Sequence, residues 1–264
     1  MTARRLDVEL VSRGLARSRE QARGVILAGD VSVDGVMVSK AGAPVEPDAE
    51  ILVVERPQYV SRGGHKLAGA LDSFGVDPSG VRAVDVGAST GGFTDCLLQR
   101  GARSVTAIDV GYGQLAWSLR NDPRVHVLER TNIRTADPER LGGPYDMAVI
   151  DVSFIGLSKV LPAVRTILAD DAVCLALVKP QFEAGKGRIG KKGVVRDPAV
   201  HRDVLGSVLA SAEQGGWAVC GLGWSPITGP EGNIEFWVCL RPGGEPVKVD
   251  VDAIVEAAHA ALGG

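Results

Sequence analysis

The stretch Val84-Asp85-Val86-Gly87-Ala88-Ser89-Thr90-Gly91-Gly92-Phe93-Thr94 decides the fold. An apolar strand runs into glycines and then into a helical pattern, so backbone N–H groups can approach a ligand closely. A dinucleotide fingerprint, G-x-G-x-x-G, would need glycine where Ser89 stands, which argues against a nicotinamide site. Asp109 ends the next strand pattern, where an acid can accept both hydroxyls of a ribose. Further strand patterns cover 83–86, 104–109, 125–128, 147–151, 173–178, 217–222 and 234–240. Several are continuous apolar runs, as expected when helices cover both faces of a parallel sheet. Strands alternating with helical patterns predict a doubly wound α/β domain.

Ahead of it lies a smaller unit. Leu6, Leu10 and Val11 make a short amphipathic turn, and Ser18 with Gln21 reads as the start of a second helix carrying Ala22, Val25 and Ile26. Val31 and Val33, the Asp34-Gly35 pair, and Val36 and Val38 read as a hairpin, with a further strand at 51–54. The expected organisation is an α+β domain at 1–57, a linker at 58–65 marked by two glycines, and the α/β domain at 66–264.

The chain has 264 residues, 45% hydrophobic and 23% charged, with 34 glycines and a formal net charge of −3. Its longest uncharged apolar run, 172–178, is far short of the roughly 18 residues a membrane span needs. No secretory signal opens the chain, because Asp7 precedes any apolar stretch. Cys96, Cys174, Cys220 and Cys239 are widely spaced, which predicts buried thiols, no metal and a cytoplasmic setting. The mild net charge conceals segregation. Residues 1–28 hold six arginines against three acids, and residues 179–196 six Lys/Arg against Glu183, whereas the segment after Arg241 is acidic. Such segregation suits a polyanion on one face, although solvated faces would give the same count.

Four charged residues sit where a sheet edge would place chemistry: Asp151 and Lys179 end apolar strands, Lys66 opens a helix, and Glu235 lies in an alternating strand. Buried charge is costly unless paired or used. They could form an ion-pair cluster and nothing more.

Three resemblances sharpen this. Arg4-Arg5-Leu6-Asp7, Arg13-Gly14-Leu15-Ala16-Arg17-Ser18-Arg19 and Gly29-Asp30-Val31-Ser32-Val33-Asp34-Gly35 resemble the S4-like, αL-type RNA-binding domain, which implies RNA contact through Arg4, Arg5, Arg17 and Arg19. Asp85-x-Gly87 followed by Gly91-Gly92 resembles the first motif of Rossmann-like class I methyltransferases. That implies an S-adenosylmethionine site of Asp85, Gly87, Ala88, Ser89, Thr90, Gly91, Phe93, Asp109, Asn132 and Asp151. The order Lys66, Asp151, Lys179, Glu235 resembles the catalytic tetrad of FtsJ/RrmJ-type ribose 2′-O-methyltransferases.

With Tyr59-Val60-Ser61-Arg62-Gly63-Gly64-His65-Lys66-Leu67 and Asp151-Val152-Ser153-Phe154-Ile155, the match extends to the TlyA family, historically labelled haemolysins. The family implies cytidine 2′-O-methylation of small- and large-subunit rRNA. Lys179 would be the base, held by Asp151, with Glu235 and Lys66 orienting the ribose; Lys179 must be neutral to act, which burial beside Lys66 would favour. Arg62, Lys186 and Arg188 would grip RNA phosphates; the partner is ribosomal RNA, not DNA or a membrane. Pro57-Gln58-Tyr59-Val60 departs from the Arg-x-Trp-Val linker of some members. The rival reading is a non-catalytic ribosome-assembly factor retaining the fold.

Overall fold

Ser18 starts its helix as its spacing predicts: the side-chain oxygen accepts from the Gln21 N–H at 3.2 Å, and the Gln21 side chain reaches back to the Arg17 N–H at 2.8 Å. In the computed structural model, residues 3–54, 57–185 and 187–263 are described, and the chain divides into two units, Met1–Gln58 and Tyr59–Gly264.

The first unit runs β1 (Arg4–Arg5), α1 (Leu6–Ser12), α2 (Arg19–Leu27), β2 (Val31–Val33), β3 (Val36–Met37), β4 (Pro44–Val45) and β5 (Ile51–Val53). Strand β2 pairs antiparallel with both β3 and β5. Asp34 and Gly35 both take positive φ, 50° and 77°, the geometry a two-residue hairpin turn requires. Leu6, Leu10, Ala22, Ile26, Val31 and Ile51 form the core. The β1–β4 pair is two residues long on each side, too short to leave a pattern in the sequence.

The second unit runs α3 (Gly63–Phe74), β6 (Arg82–Val86), α4 (Gly92–Gln99), β7 (Ser104–Ile108), α5 (Trp117–Arg120), β8 (Val125–Leu128), α6 (Pro138–Leu141), β9 (Tyr145–Ile150), α7 (Leu161–Arg165), β10 (Leu168–Val178), α8 (Pro180–Glu183), α9 (Pro198–Gln214), β11 (Ala218–Trp224), β12 (Phe236–Arg241) and α10 (Val251–Leu262). The strands order β11-β12-β10-β9-β6-β7-β8. Apolar clusters lie on both faces, one around Ile150, Leu205 and Phe236, the other around Leu67, Leu97 and Trp237.

The sheet is not wholly parallel. β12 runs antiparallel to both its neighbours. The β11–β12 connection holds no helix, and a parallel return needs a crossover of a dozen or more residues, usually helical. The expected linker is also shorter than its composition suggests. The chain is helical from Gly63, and Tyr59 is buried in the second unit's core. Gly64 serves packing and breaks nothing: a Cβ there would run into the Tyr59 ring.

Candidate active site

Register assembles the site. Val86 lies beside Ile108 and Ile150, and Ile150 beside Ala176, so β6, β7, β9 and β10 end along one edge. The residues just beyond those ends are Gly87, Asp109, Asp151 and Lys179. Because β12 is reversed, its first residue meets the same edge: Phe236 pairs with Val178, which sets Glu235 across from Lys179. Lys66, from the second turn of α3, completes the group.

The four charges form two pairs. Lys66 Nζ donates to Glu235 Oε2, with Lys66 at 7% and Glu235 at 1% exposure. Lys179 Nζ lies 2.5 Å from Asp151 Oδ1 and donates to Ser153 Oγ at 3.0 Å. The direct partner of Lys66 is thus Glu235, and that of Lys179 is Asp151.

Two clefts meet beside these pairs. One, of about 380 Å³, is lined among others by Gly87, Ser89, Asp109, Asn132 and Asp151. The other, of about 340 Å³, is lined by Arg62, Lys66, Ala88, Thr90 and Phe93 together with the same Gly87, Ser89 and Asp151. Both volumes fall in the small-ligand range.

Gly87 has φ 88°, and a Cβ there would strike the Asp151 carbonyl, so only glycine lets the loop pass this wall. Ser89 holds a φ of 49° in the left-handed region, doing in this loop what a dinucleotide fingerprint assigns to glycine. Its N–H donates to Asp109 Oδ2 at 2.7 Å, and Gly111 N–H to Oδ1 at 2.7 Å. Each Asp109 oxygen keeps a second lone pair for a ribose hydroxyl.

Gly91 and Asp85 of the expected set stand behind the clefts. A Cβ on Gly91 would meet Leu119 and Leu115, so this glycine serves helix packing. Asp85 is fully buried; Oδ2 accepts from the Thr94 N–H at 3.0 Å and the Thr94 hydroxyl at 2.7 Å, and Oδ1 has no partner. Burial above all, with repulsion from Asp151 and Asp109, outweighs the Thr94 bonds and lifts this carboxyl from 3.8 to about 7. Between those values the folded chain keeps a proton that the unfolded chain releases, so stability falls as pH rises from about 4 to about 7. Asp85→Asn retains an acceptor for Thr94 and removes the titration. The melting temperature of the parent chain should drop more steeply between pH 5 and 8 than that of Asp85→Asn; parallel curves would show that Asp85 does not titrate there.

Of the residues expected to touch RNA, Arg4 faces Glu9 at 3.7 Å, Arg5 and Arg19 both donate to Asp7, and Arg17 is exposed at the entry to α2. Arg62 donates to the Thr228 carbonyl at 2.8 Å and is otherwise exposed. Arg188 pairs with Asp203 at 2.5 Å. Lys186 lies outside the described residues.

Three neighbours of Lys179 have no role assigned to them by the sequence. Ser153 bonds its amine. Phe154 is 90% exposed at a φ of 64°, and its ring centroid lies 4.9 Å from that of Phe182, which is 6.0 Å from Lys179 Nζ. A bulky residue held in the left-handed region beside a cleft marks strain retained at a working site.

Comparison with known proteins finds a match for each of the two units. Residues 59–242 match the family described as FtsJ-like methyltransferase, and residues 4–51 match the S4 domain. Over 90% of this chain and 89% of the other, it is 52% identical to the 16S/23S rRNA (cytidine-2′-O)-methyltransferase TlyA of Mycobacterium tuberculosis. It is 34% identical to the 23S rRNA (cytidine-2′-O)-methyltransferase TlyA of Campylobacter jejuni, over 68% of this chain and 69% of the other. A solved structure of a hemolysin-named protein from Streptococcus thermophilus superposes with a TM-score of 0.75 at 43% identity, covering 99% of this chain and 97% of that one.

Proposed function

The chain belongs to the FtsJ-like methyltransferase family, in its TlyA group, and from that premise we propose that it methylates the ribose 2′-hydroxyl of cytidine in rRNA of both ribosomal subunits. The observation that carries this reading is the pair of clefts sharing Gly87, Ser89 and Asp151, with Lys179 held beside that shared wall by Asp151 and Ser153.

The larger cleft fits S-adenosylmethionine: Asp109 can take its ribose hydroxyls, Asn132 borders the adenine end, and the Gly87 loop gives the backbone close approach. When bound, that cofactor supplies an activated methyl group. Everything else falls to the chain. Lys66, oriented by Glu235, and Arg62 line the adjoining cleft and position the target ribose. Lys179 Nζ first gives up its own proton to solvent and, as the neutral amine, accepts the 2′-hydroxyl proton as the oxygen attacks, with Asp151 and Ser153 fixing the amine's direction. Phe154 presents an exposed ring on which a splayed base can stack. Arg4, Arg5, Arg17 and Arg19 on the S4 domain, with Arg62 and Arg188 on the second unit, hold the phosphates. An enzyme that modifies ribosomal subunits works in the cytoplasm.

Transfer of radiolabelled methyl groups from S-adenosylmethionine to purified ribosomal subunits tests this directly, with mass spectrometry locating the modified nucleotides. Label at a cytidine 2′-oxygen supports the reading. Tight subunit binding with no transfer would instead favour an assembly factor. With about five phosphate contacts, log affinity should fall against log salt with a slope of roughly −3.5 to −4.5. Among the described residues no helix is long and apolar enough to cross a membrane.

A further inference from the structure

Asp7 is the first unit's oddest residue for an RNA-binding surface. It is an acid on the first turn of α1, at 0% exposure, in the midst of arginines. Its main chain is pinned, with the Asp7 N–H donating to Ala41 O at 2.9 Å and the preceding Leu6 N–H to Ala43 O at 2.8 Å. Its carboxylate is covered by three guanidiniums from two elements. Arg5 donates to both oxygens, at 3.0 and 3.1 Å; Arg19 donates to Oδ2 at 3.0 Å; Arg23 Nε lies 3.6 Å from Oδ2. Those three side chains remain about half exposed. Hydrogen bonding from Arg5 first, and from Arg19 with it, holds the Asp7 carboxyl down at about 2, so it stays an anion at any working pH. Glu9, one turn face along, binds Arg13, but Arg13 also donates to the Ala49 and Pro47 carbonyls and serves the fold. Among the described residues, the arginines around Asp7 have no such backbone anchors.

Three guanidiniums around one carboxylate leave a local excess of two positive charges, half exposed and held in place by the shared acid. Free arginine side chains lose rotamer entropy when they grip a phosphate; arginines fixed beforehand lose less. Resting on the RNA reading above, we infer that Asp7 is a positioning residue for rRNA binding: it splints Arg5, Arg19 and Arg23 into one phosphate-gripping claw. Its effect on binding therefore has the opposite sign to its charge. Simple electrostatics says that removing an acid beside a polyanion tightens the complex. The claw says that Asp7→Asn loosens it, by releasing three arginines at once.

The test uses the full chain, purified ribosomal subunits and four proteins: the parent, Asp7→Asn, Arg5→Gln/Arg19→Gln, and the triple variant. Residues acting as one unit are non-additive, with coupling seen in a double-mutant cycle. The expected result is a loss of roughly five- to tenfold in affinity for Asp7→Asn in the parent, and a clearly smaller loss in the arginine-depleted background, where only Arg23 is left to release. In methyl transfer the same variant should raise KM for subunits and leave kcat unchanged, because the reaction edge lies in the other unit. Unchanged or tighter binding by Asp7→Asn overturns the inference. So does an equal loss in both backgrounds, which would mark a purely structural acid. If Arg5→Gln/Arg19→Gln binds subunits as well as the parent, this face is not the RNA surface and the reading of these arginines as phosphate contacts fails. Should Asp7→Asn lower the melting temperature, Asp7→Glu carries the test, since it keeps the charge but displaces the carboxylate by one methylene. It must show the same background-dependent loss, and parental affinity would refute the claw.

Discussion

Lys179→Ala is expected to lower the rate of methyl transfer by about 10²–10⁴-fold, the usual contribution of a positioned general base, while leaving cofactor affinity close to that of the parent. The separation follows from placement. Lys179 stands at the end of β10 against Asp151 and Ser153, and is not among the residues lining the cofactor cleft. Residual activity should survive, since holding two reactants in line supplies on the order of 7–11 kcal/mol in favourable cases. Lys179→Arg is the more pointed variant. It preserves a cation beside Asp151, but guanidinium cannot be deprotonated in a protein. If Lys179 only balanced charge, Arg would restore the rate; if it takes a proton, Arg should be as inactive as Ala. Single-turnover rates with calorimetric titration of the cofactor separate the two, and an Arg variant within a few-fold of the parent would remove Lys179 from the base role.

The second large effect concerns the deepest ion pair. Glu235→Ala leaves the Lys66 ammonium buried with its partner gone, and breaking such a pair costs about 3–5 kcal/mol. For a unit of this size that is a melting temperature lower by roughly 10 °C. Replacing both partners with apolar residues of similar volume removes the stranded charge, so Lys66→Met/Glu235→Leu should recover most or all of the lost stability. Methyl transfer should not recover, because neither residue can then orient a ribose. Calorimetry and transfer assays on the two variants make the comparison. A double variant as unstable as Glu235→Ala would mean that the site needs this pair for folding, and a double variant that transfers methyl groups would show that it has no part in the reaction.

The strands of the α/β domain were legible because each is an apolar run between turn signals, and Asp109, Asp151 and Lys179 were legible because each ends one. Direction was not. Nothing within 236–241 marks β12 as reversed; only the brevity of the connection before it does, and that reversal is what returns Glu235 to the working edge. Pairing was not legible either. Four alternating charges allow several partnerships, and only the register of β10 with β12, together with the second turn of α3, joins Lys66 to Glu235. Ser153 and Phe154 follow Asp151 directly, yet their roles depend on the loop's backbone path, which turns Phe154 to positive φ. In the first unit the sequence marks the arginines as an RNA surface, while nothing in it marks Asp7 as their shared partner. Its place beneath three of them comes from the packing of α2 against α1.

The wall common to the two clefts has a bearing on inhibitor chemistry. A compound occupying one cleft ends at Gly87, Ser89 and Asp151, where a compound occupying the other begins. Fragments filling the two clefts could therefore be joined across this wall by a short link. Fragments tethered at near-optimal span gain affinity by effective concentration without any new contact. Such a conjugate would reach Lys66, which lines the second cleft and is absent from the lining of the first.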